Sequence, residues 1–308
     1  MRSVHKVVAA TVPGAVALAV VRYRQAVRQL DSLPVQPPAL PGVVRSLATR
    51  WGRISYRLIS RPESPHPAIV LVHGWGRTAD SAWWPVMLES NRSILAIDLP
   101  GHGRSVIERR FSFSLAAESI LAAIDDAGVD RPLLAGHSMG GPVCLTTILW
   151  AGASTFTGFV ALATSAYWVR PRQMVMVASA PYVLGARSPV MLRTQRNEAR
   201  RMPDDTSRIA WEYAVRPDRQ VLLDTAMELR RFDARRWTGL QMPPTTWVIT
   251  TRDGVIDAED QRVSATMFAQ HRLEISSEHS VVIEAPTQVT RILDAVSARP
   301  DGPALIAI

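Results

Sequence analysis

A short apolar run that ends in Gly-x-Ser-x-Gly constrains this chain more than any other feature. The run Leu133–Ala135 is typical of a buried strand, and Gly136, Ser138, Gly140 and a helical pattern follow it. A chain that turns this sharply from strand to helix holds Ser138 at strained dihedral angles, and a Cβ at either glycine would collide with the neighbouring turn. The pattern therefore predicts a nucleophile elbow, in which the hydroxyl of Ser138 is held free of the sheet.

The composition is that of a globular protein without a disulfide framework. The 308 residues, 47% hydrophobic and 20% charged, suit one large domain or a domain with an insertion. Cys144 is the single cysteine, which excludes an intrachain disulfide and a cysteine-rich metal site. Histidines and carboxylates show no metal-ligand spacing, and the glycine-rich loops match neither a phosphate loop nor a dinucleotide fingerprint. We therefore expect no metal and no cofactor.

The formal net charge of +8 lies mostly in residues 167–242. Such a surface can attract anionic lipid headgroups or acidic substrates, but solvated helical faces of an arginine-rich chain carry the same charge. No nucleic-acid motif accompanies the charge, so no nucleic-acid partner is expected. The oligomeric state stays open.

Residues 1–30 are predicted to form an apolar helix. The uncharged run Val7–Val21 has basic residues on both sides, is shorter than the about 20 residues of a membrane-spanning helix, and is interrupted by Pro13 and Gly14. Three interpretations remain: a membrane anchor or interfacial helix, a cleaved secretory signal, and a helix packed on the domain. The expected location is membrane-associated or cytoplasmic, with export also open, and this helix is the candidate contact with a membrane surface.

The rest of the chain divides into a linker, a core in two parts and an insertion. Residues 31–42 are proline-rich and predict an extended linker. Over 43–166 and 243–308 strands, loops and helices alternate, which indicates a parallel sheet covered on both faces. The strand signal disappears over 167–242, which predicts a helical cap.

The patterns also predict individual elements. The expected strands are Arg53–Ile59, Ala68–Val72, Ser93–Ile97, Leu133–Ala135, Phe159–Thr164, Thr245–Thr251 and Arg272–Ile275. The expected helices are Phe113–Asp126, Ser207–Val215, Arg219–Arg231, Ala258–Ala269 and Pro286–Ala298.

Five motifs, in this order, resemble those of the α/β-hydrolase superfamily over roughly residues 53–298. They are His73-Gly74-Trp75-Gly76, the run Asp98–Ser105, the run Gly136–Gly141, Asp253 after a late strand, and His279 near the end. The resemblance implies an α/β-hydrolase fold: a mostly parallel central sheet with helices on both faces and a helical cap inserted after the sixth strand.

The resemblance also implies a set of catalytic residues. Acyl transfer needs a nucleophile, a base and a carboxylate that orients the base, and the family places them in the order Ser, Asp, His. Ser138, Asp253 and His279 match that order as nucleophile, carboxylate and base. Asp257 is the alternative carboxylate, at a position where relatives often carry proline.

An oxyanion hole is implied at the backbone N–H groups of Trp75 and Met139. Because these donors are main-chain groups, replacing Trp75 is expected to test packing more than catalysis. His73 and His102 are expected to shape their loops rather than transfer protons, and the tight turn is expected to aim His137 away from Ser138.

A serine nucleophile argues against epoxide hydrolases and haloalkane dehalogenases, which need an aspartate. The resemblance then favours an esterase or lipase-like hydrolase with an acyl-enzyme on Ser138 and a small-molecule acyl substrate, of lipidic character if it is met at a membrane. Carbon–carbon bond hydrolysis, acyl transfer and cofactor-free perhydrolysis on the same residues remain alternatives. A non-catalytic ligand-binding protein on a hydrolase scaffold is the alternative from another class.

Overall fold

The computed structural model describes residue 21 and residues 38–168, 217, 219–237 and 239–297. The predicted N-terminal helix apart from Val21, most of the linker and of the cap, and the helix expected at Ser207–Val215 lie outside these residues. Within the described ranges, no helix has the length and apolar character needed to cross a membrane.

The described residues form a nine-stranded sheet. Its strands are β1 Val43–Thr49, β2 Gly52–Ile59, β3 Ile69–Val72, β4 Ile94–Asp98, β5 Val106–Ile107, β6 Leu133–His137, β7 Gly158–Leu162, β8 Thr245–Thr250 and β9 His271–Ile275. The order is β1-β2-β4-β3-β6-β7-β8-β9, and the short β5 pairs with β2. The pairs from β4 to β9 are parallel, whereas β1, β2 and β5 pair antiparallel at one edge. The mostly parallel sheet is therefore confirmed.

Helices cover both faces of the sheet. They are α1 Ala79–Glu89, α2 Phe113–Asp126, α3 Gly140–Ala151, α4 Arg219–Arg231, α5 Ala258–Phe268, α6 Val281–Glu284 and α7 Pro286–Ser297. Successive strand residues point to opposite faces, so Val70 and Val72 pack with α2, α3 and α5, while Ile69 and Leu71 pack with α1 and α7. The sheet thus separates two apolar cores.

Strand β1 is one of the elements that the sequence analysis does not predict, and α1, β5 and α6 are others. Val43 and Val44 are 55% and 41% exposed, and no alternation of apolar and polar residues runs along this edge strand. It forms because its backbone pairs with β2 from Val43 to Thr49 through a tight hairpin. Pairing of main-chain groups leaves no signature in side-chain hydropathy.

The chain leaves and re-enters the core at neighbouring points. The N–H of Ala234 donates to the carbonyl of Ala166 (2.8 Å), and Tyr167 and Asp233 form an antiparallel bridge. This exit follows β7, which is the sixth strand when the two-residue β5 is left aside. Of the segment between these points, helix α4 is described, with the bounds that the sequence predicts.

Candidate active site

Ser138 stands at the sharp turn between β6 and α3. Its φ is 53°, in the left-handed region that a non-glycine residue rarely adopts. A Cβ on Gly136 would lie 2.6 Å from the carbonyl oxygen of Gly140, and one on Gly140 would lie 2.3 Å from that of Val72. Both glycines are therefore needed for the close approach of strand and helix that holds Ser138 in this conformation.

Ser138, His279 and Asp253 form a continuous chain of hydrogen bonds. The Oγ of Ser138 lies 2.9 Å from Nε2 of His279, and Nδ1 of His279 lies 2.8 Å from Oδ2 of Asp253. Since a carboxylate only accepts, Nδ1 carries the proton and Nε2 accepts from the serine hydroxyl. The three residues meet because β6, β8 and β9 are parallel, so the loops after them lie at one edge of the sheet.

The side chain of Asp253 is fully buried, and its two carboxylate oxygens accept hydrogen bonds from surrounding donors. Oδ1 accepts from the N–H groups of Val255 (2.7 Å) and Ile256 (2.9 Å). Oδ2 accepts from Oγ1 of Thr250 (2.9 Å) and Nε2 of Gln261 (3.1 Å), in addition to the imidazole. Four protein donors thus orient the carboxylate before it orients the histidine.

The pKa of Asp253 lies below its ordinary value. Burial raises this pKa, but the charge and hydrogen bond of His279 and the N–H groups of Ile256 and Val255 outweigh burial. The group is therefore an anion at neutral pH. The alternative carboxylate, Asp257, is exposed at the start of α5, so the structure brings Asp253 and not Asp257 to the histidine.

The two backbone groups assigned to the oxyanion hole belong to segments that touch each other. A Cβ on Gly74 would lie 3.1 Å from the Cβ of Ser138, so the loop carrying Trp75 rests against the turn that leads to Met139. Among the hydrogen bonds of the described residues, none is donated by the main-chain N–H of Trp75 or Met139. Two donors beside a nucleophile are what a tetrahedral oxyanion requires.

His73 and His102 are buried loop residues. His73 donates from Nδ1 to the carbonyl of Gly74 (2.8 Å) and accepts at Nε2 from the N–H of Leu99 (3.0 Å), so it ties the loops after β3 and β4 together. His102 donates from Nδ1 to the carbonyl of Pro100 (3.1 Å). Burial lowers the pKa of His73 well below its ordinary value and that of His102 to about 4, so both stay neutral.

His137 has a role that the sequence does not reveal. Its Nε2 donates to the main-chain carbonyl of His279 (2.8 Å), and the two rings lie 5.3 Å apart. Burial, with a smaller contribution from the His279 charge, lowers its pKa to about 3, so it acts as a neutral donor. Its hydrogen bond goes to the loop that carries the base. This contact joins residues 142 positions apart, so no local pattern indicates it.

These side chains can transfer a proton from Ser138 to His279 and hold the resulting imidazolium beside a buried anion. Among the described residues, no group of three or more His, Cys, Asp and Glu side chains is placed to hold a metal ion. The arrangement suits acyl chemistry on the serine hydroxyl.

Comparisons with known proteins show which sequences and structures this chain is similar to. The sequence model of the alpha/beta hydrolase family matches residues 69–292. The acetyltransferase component of an acetoin cleaving system from Pseudomonas putida is 40% identical over 81 residues, or 25% of this chain and 21% of that protein. A putative esterase/lipase from Haemophilus influenzae is 31% identical over 80 residues, 26% of this chain and 28% of that protein.

The match to these curated relatives thus spans less than a third of their length. A solved esterase from Exiguobacterium antarcticum superposes with a TM-score of 0.70 at 17% identity, covering 84% of this chain and all of that one. At this identity the likeness concerns the fold.

Proposed function

The chain belongs to the alpha/beta hydrolase family, and from this premise we propose that it is a serine hydrolase that cleaves carboxylic esters through an acyl-enzyme on Ser138. The observation that carries the proposal is the chain of hydrogen bonds from Ser138 through His279 to Asp253, with distances of 2.9 and 2.8 Å. The position of Ser138 on a strained elbow, beside two backbone N–H donors, supports the same chemistry.

In the first half of the reaction, Oγ of Ser138 attacks the ester carbonyl carbon while its proton passes to Nε2 of His279. The anionic oxygen of the tetrahedral intermediate accepts hydrogen bonds from the N–H groups of Trp75 and Met139. When the intermediate collapses, the bond to the alcohol oxygen breaks and His279 returns the proton to that oxygen. The alcohol leaves and the acyl group stays on Ser138.

In the second half, His279 takes a proton from a water molecule whose oxygen attacks the acyl carbon. Collapse of this intermediate breaks the bond to Oγ, which regains the proton from His279, and the carboxylic acid leaves. Asp253 keeps its charge throughout, because it orients the imidazole and stabilises the imidazolium without accepting its proton. No step needs a cofactor.

A series of p-nitrophenyl esters from acetate to laurate tests the proposal on the full chain. Ser138→Ala is compared with wild type and with Ser154→Ala, a matched change at an exposed serine outside the site. We expect turnover in wild type and Ser154→Ala, none above buffer in Ser138→Ala, and labelling of Ser138 by a fluorophosphonate. Equal turnover in wild type and Ser138→Ala would refute the serine mechanism. Labelling of Ser138 without ester turnover would reject ester cleavage and favour carbon–carbon cleavage or acyl transfer.

A further inference from the structure

The side chain of Trp75 reaches out of the loop after β3 and binds helix α4. Its indole Nε1 donates to Oγ1 of Thr225 (2.8 Å) and more distantly to the carbonyl oxygen of Leu222 (3.3 Å). Thr225 is fully buried, and its hydroxyl lies 2.8 Å from the carbonyl oxygen of Val221, one turn earlier. Because the hydroxyl donates its proton within the helix, Oγ1 is oriented to accept from the indole.

Helix α4 offers a firm anchor for this bond. One face of the helix is buried against the loops of the core and consists of Val221, Leu222, Thr225, Ala226 and Leu229. A Cβ on Gly101, in the loop after β4, would lie 2.6 Å from Val221. Glu228 accepts from the N–H of Phe113 at the start of α2 (3.1 Å). The helix therefore contacts three separate parts of the core, of which the Trp75 loop is one.

The loop that carries Trp75 is held on one side of this residue by the carbonyl of Gly74, which accepts from Nδ1 of His73 (2.8 Å) and from the N–H of Arg77 (3.3 Å). Trp75 lies between Gly74 and Gly76, and Gly76 adopts a φ of 66°. Glycine has more backbone freedom than any other residue, so the backbone on the Gly76 side of Trp75 gains no comparable restraint from its own residue type. The hydrogen bonds of the Trp75 side chain hold the residue from this second side.

We propose that the Trp75 side chain is a positioning group: its hydrogen bond to Thr225, together with the bonds to the carbonyl of Gly74, directs the main-chain N–H of Trp75 toward the oxyanion. The inference rests on the proposed function, because it takes this N–H as an oxyanion donor. It also differs from the expectation that replacing Trp75 tests packing more than catalysis. Helix α4 thereby becomes part of the support of the site.

Loss of the hydrogen bond between Trp75 and Thr225 should weaken the binding of the transition state more than the binding of the substrate. The oxyanion exists only after Ser138 has attacked, so a misdirected donor lowers kcat and leaves KM nearly unchanged. Removing a donor outright lowers kcat by about 100-fold or more, and one that is misaligned but present should cost about 10-fold.

Three variants of the full chain separate this role from packing. Trp75→Phe removes both hydrogen bonds of the indole and keeps an aromatic ring. Thr225→Val removes the stronger bond with almost no change of shape, and Thr225→Ser keeps the hydroxyl. Each is assayed for kcat and KM on the p-nitrophenyl esters, beside wild type and Ser138→Ala, and thermal unfolding identifies any variant that has not folded.

A trifluoromethyl ketone supplies a readout that a packing role would not change. Ser138 adds to its carbonyl carbon and gives a hemiketal whose anionic oxygen occupies the oxyanion position. We expect kcat and affinity for this inhibitor to fall together by about 10-fold in Trp75→Phe, by less in Thr225→Val, and not at all in Thr225→Ser. Affinity for the alcohol of the same skeleton, which forms no oxyanion, should not change.

The outcomes distinguish this inference from the proposed function. If Ser138→Ala matches wild type, the proposed function fails. If Ser138→Ala is inactive but the folded Thr225→Val variant keeps wild-type kcat and inhibitor affinity, the positioning role alone fails. A change confined to KM would assign Trp75 to substrate contact and would also overturn it.

Discussion

Asp253→Asn should inactivate the protein by reversing the tautomer of His279. The new amide has one acceptor and one donor end, and the two N–H groups of Val255 and Ile256 facing Oδ1 require the acceptor there. The NH2 group then occupies the Oδ2 position and points at Nδ1 of His279, 2.8 Å away. Of the two protein donors to Oδ2, Gln261 keeps the carbonyl of Ile256 as another acceptor, and the hydroxyl of Thr250 can turn to Oε1 of Gln261, 3.3 Å away. A histidine that accepts at Nδ1 carries its proton on Nε2 and cannot take one from the serine.

The magnitude follows from what the other rotamer of the amide would cost. Rotating the amide to restore the productive tautomer places NH2 against two buried N–H donors, each of which then lacks an acceptor. An unsatisfied buried donor costs about 1–3 kcal/mol, so the productive form lies about 2–6 kcal/mol above the other. This predicts a fall in kcat of about 30-fold to 10⁴-fold, and the corresponding change in a serine protease of unrelated fold gives about 10⁴.

Ester turnover of Asp253→Asn, with Asp257→Asn as the matched control, measures this effect. Asp257 is exposed, so its variant should retain wild-type kcat. Near-wild-type kcat in a folded Asp253→Asn variant would refute the tautomer argument. Loss of activity in Asp257→Asn instead would mean that the carboxylate has been assigned wrongly.

Two further predictions concern buried histidines. Burial holds the pKa of His73 well below its ordinary value, that of His102 at about 4 and that of His137 at about 3, while burial raises that of Asp98 to about 6. Between about pH 6 and pH 4 the three histidines bind protons only when the protein is unfolded, and Asp98 binds one only when it is folded. The unfolded state thus binds a net two protons more, so acidification should lower the free energy of unfolding by at most about 3 kcal/mol per pH unit. Equal urea midpoints at pH 7 and pH 5 would contradict this. His137→Leu should lower kcat by about 10-fold because the loop of His279 loses its donor, whereas His137→Gln, which can still donate, should restore activity; equal kcat in the two variants would exclude this positioning role.

Much of the fold and site could be predicted because the signals are local. The apolar runs of β3 and β6 indicate buried strands, and the glycines around Ser138 indicate a turn that tolerates no Cβ. Asp253 and His279 follow strands of the same parallel sheet, and the carboxyl ends of parallel strands share one edge. A motif placed after each strand therefore predicts which side chains meet.

The sequence by itself indicated the central parallel strands and the elbow at Ser138, because these rest on hydropathy or backbone sterics within a few residues. The resemblance to the α/β-hydrolase superfamily implied Asp253 and His279. Only the tertiary structure decided that His137 supports the loop of His279 and that Trp75 is anchored on Thr225. Each of these contacts joins residues more than 140 positions apart. A hydrogen bond between residues so far apart in the sequence depends on how whole helices, strands and loops pack. This packing is encoded by the complete chain rather than by any motif in it.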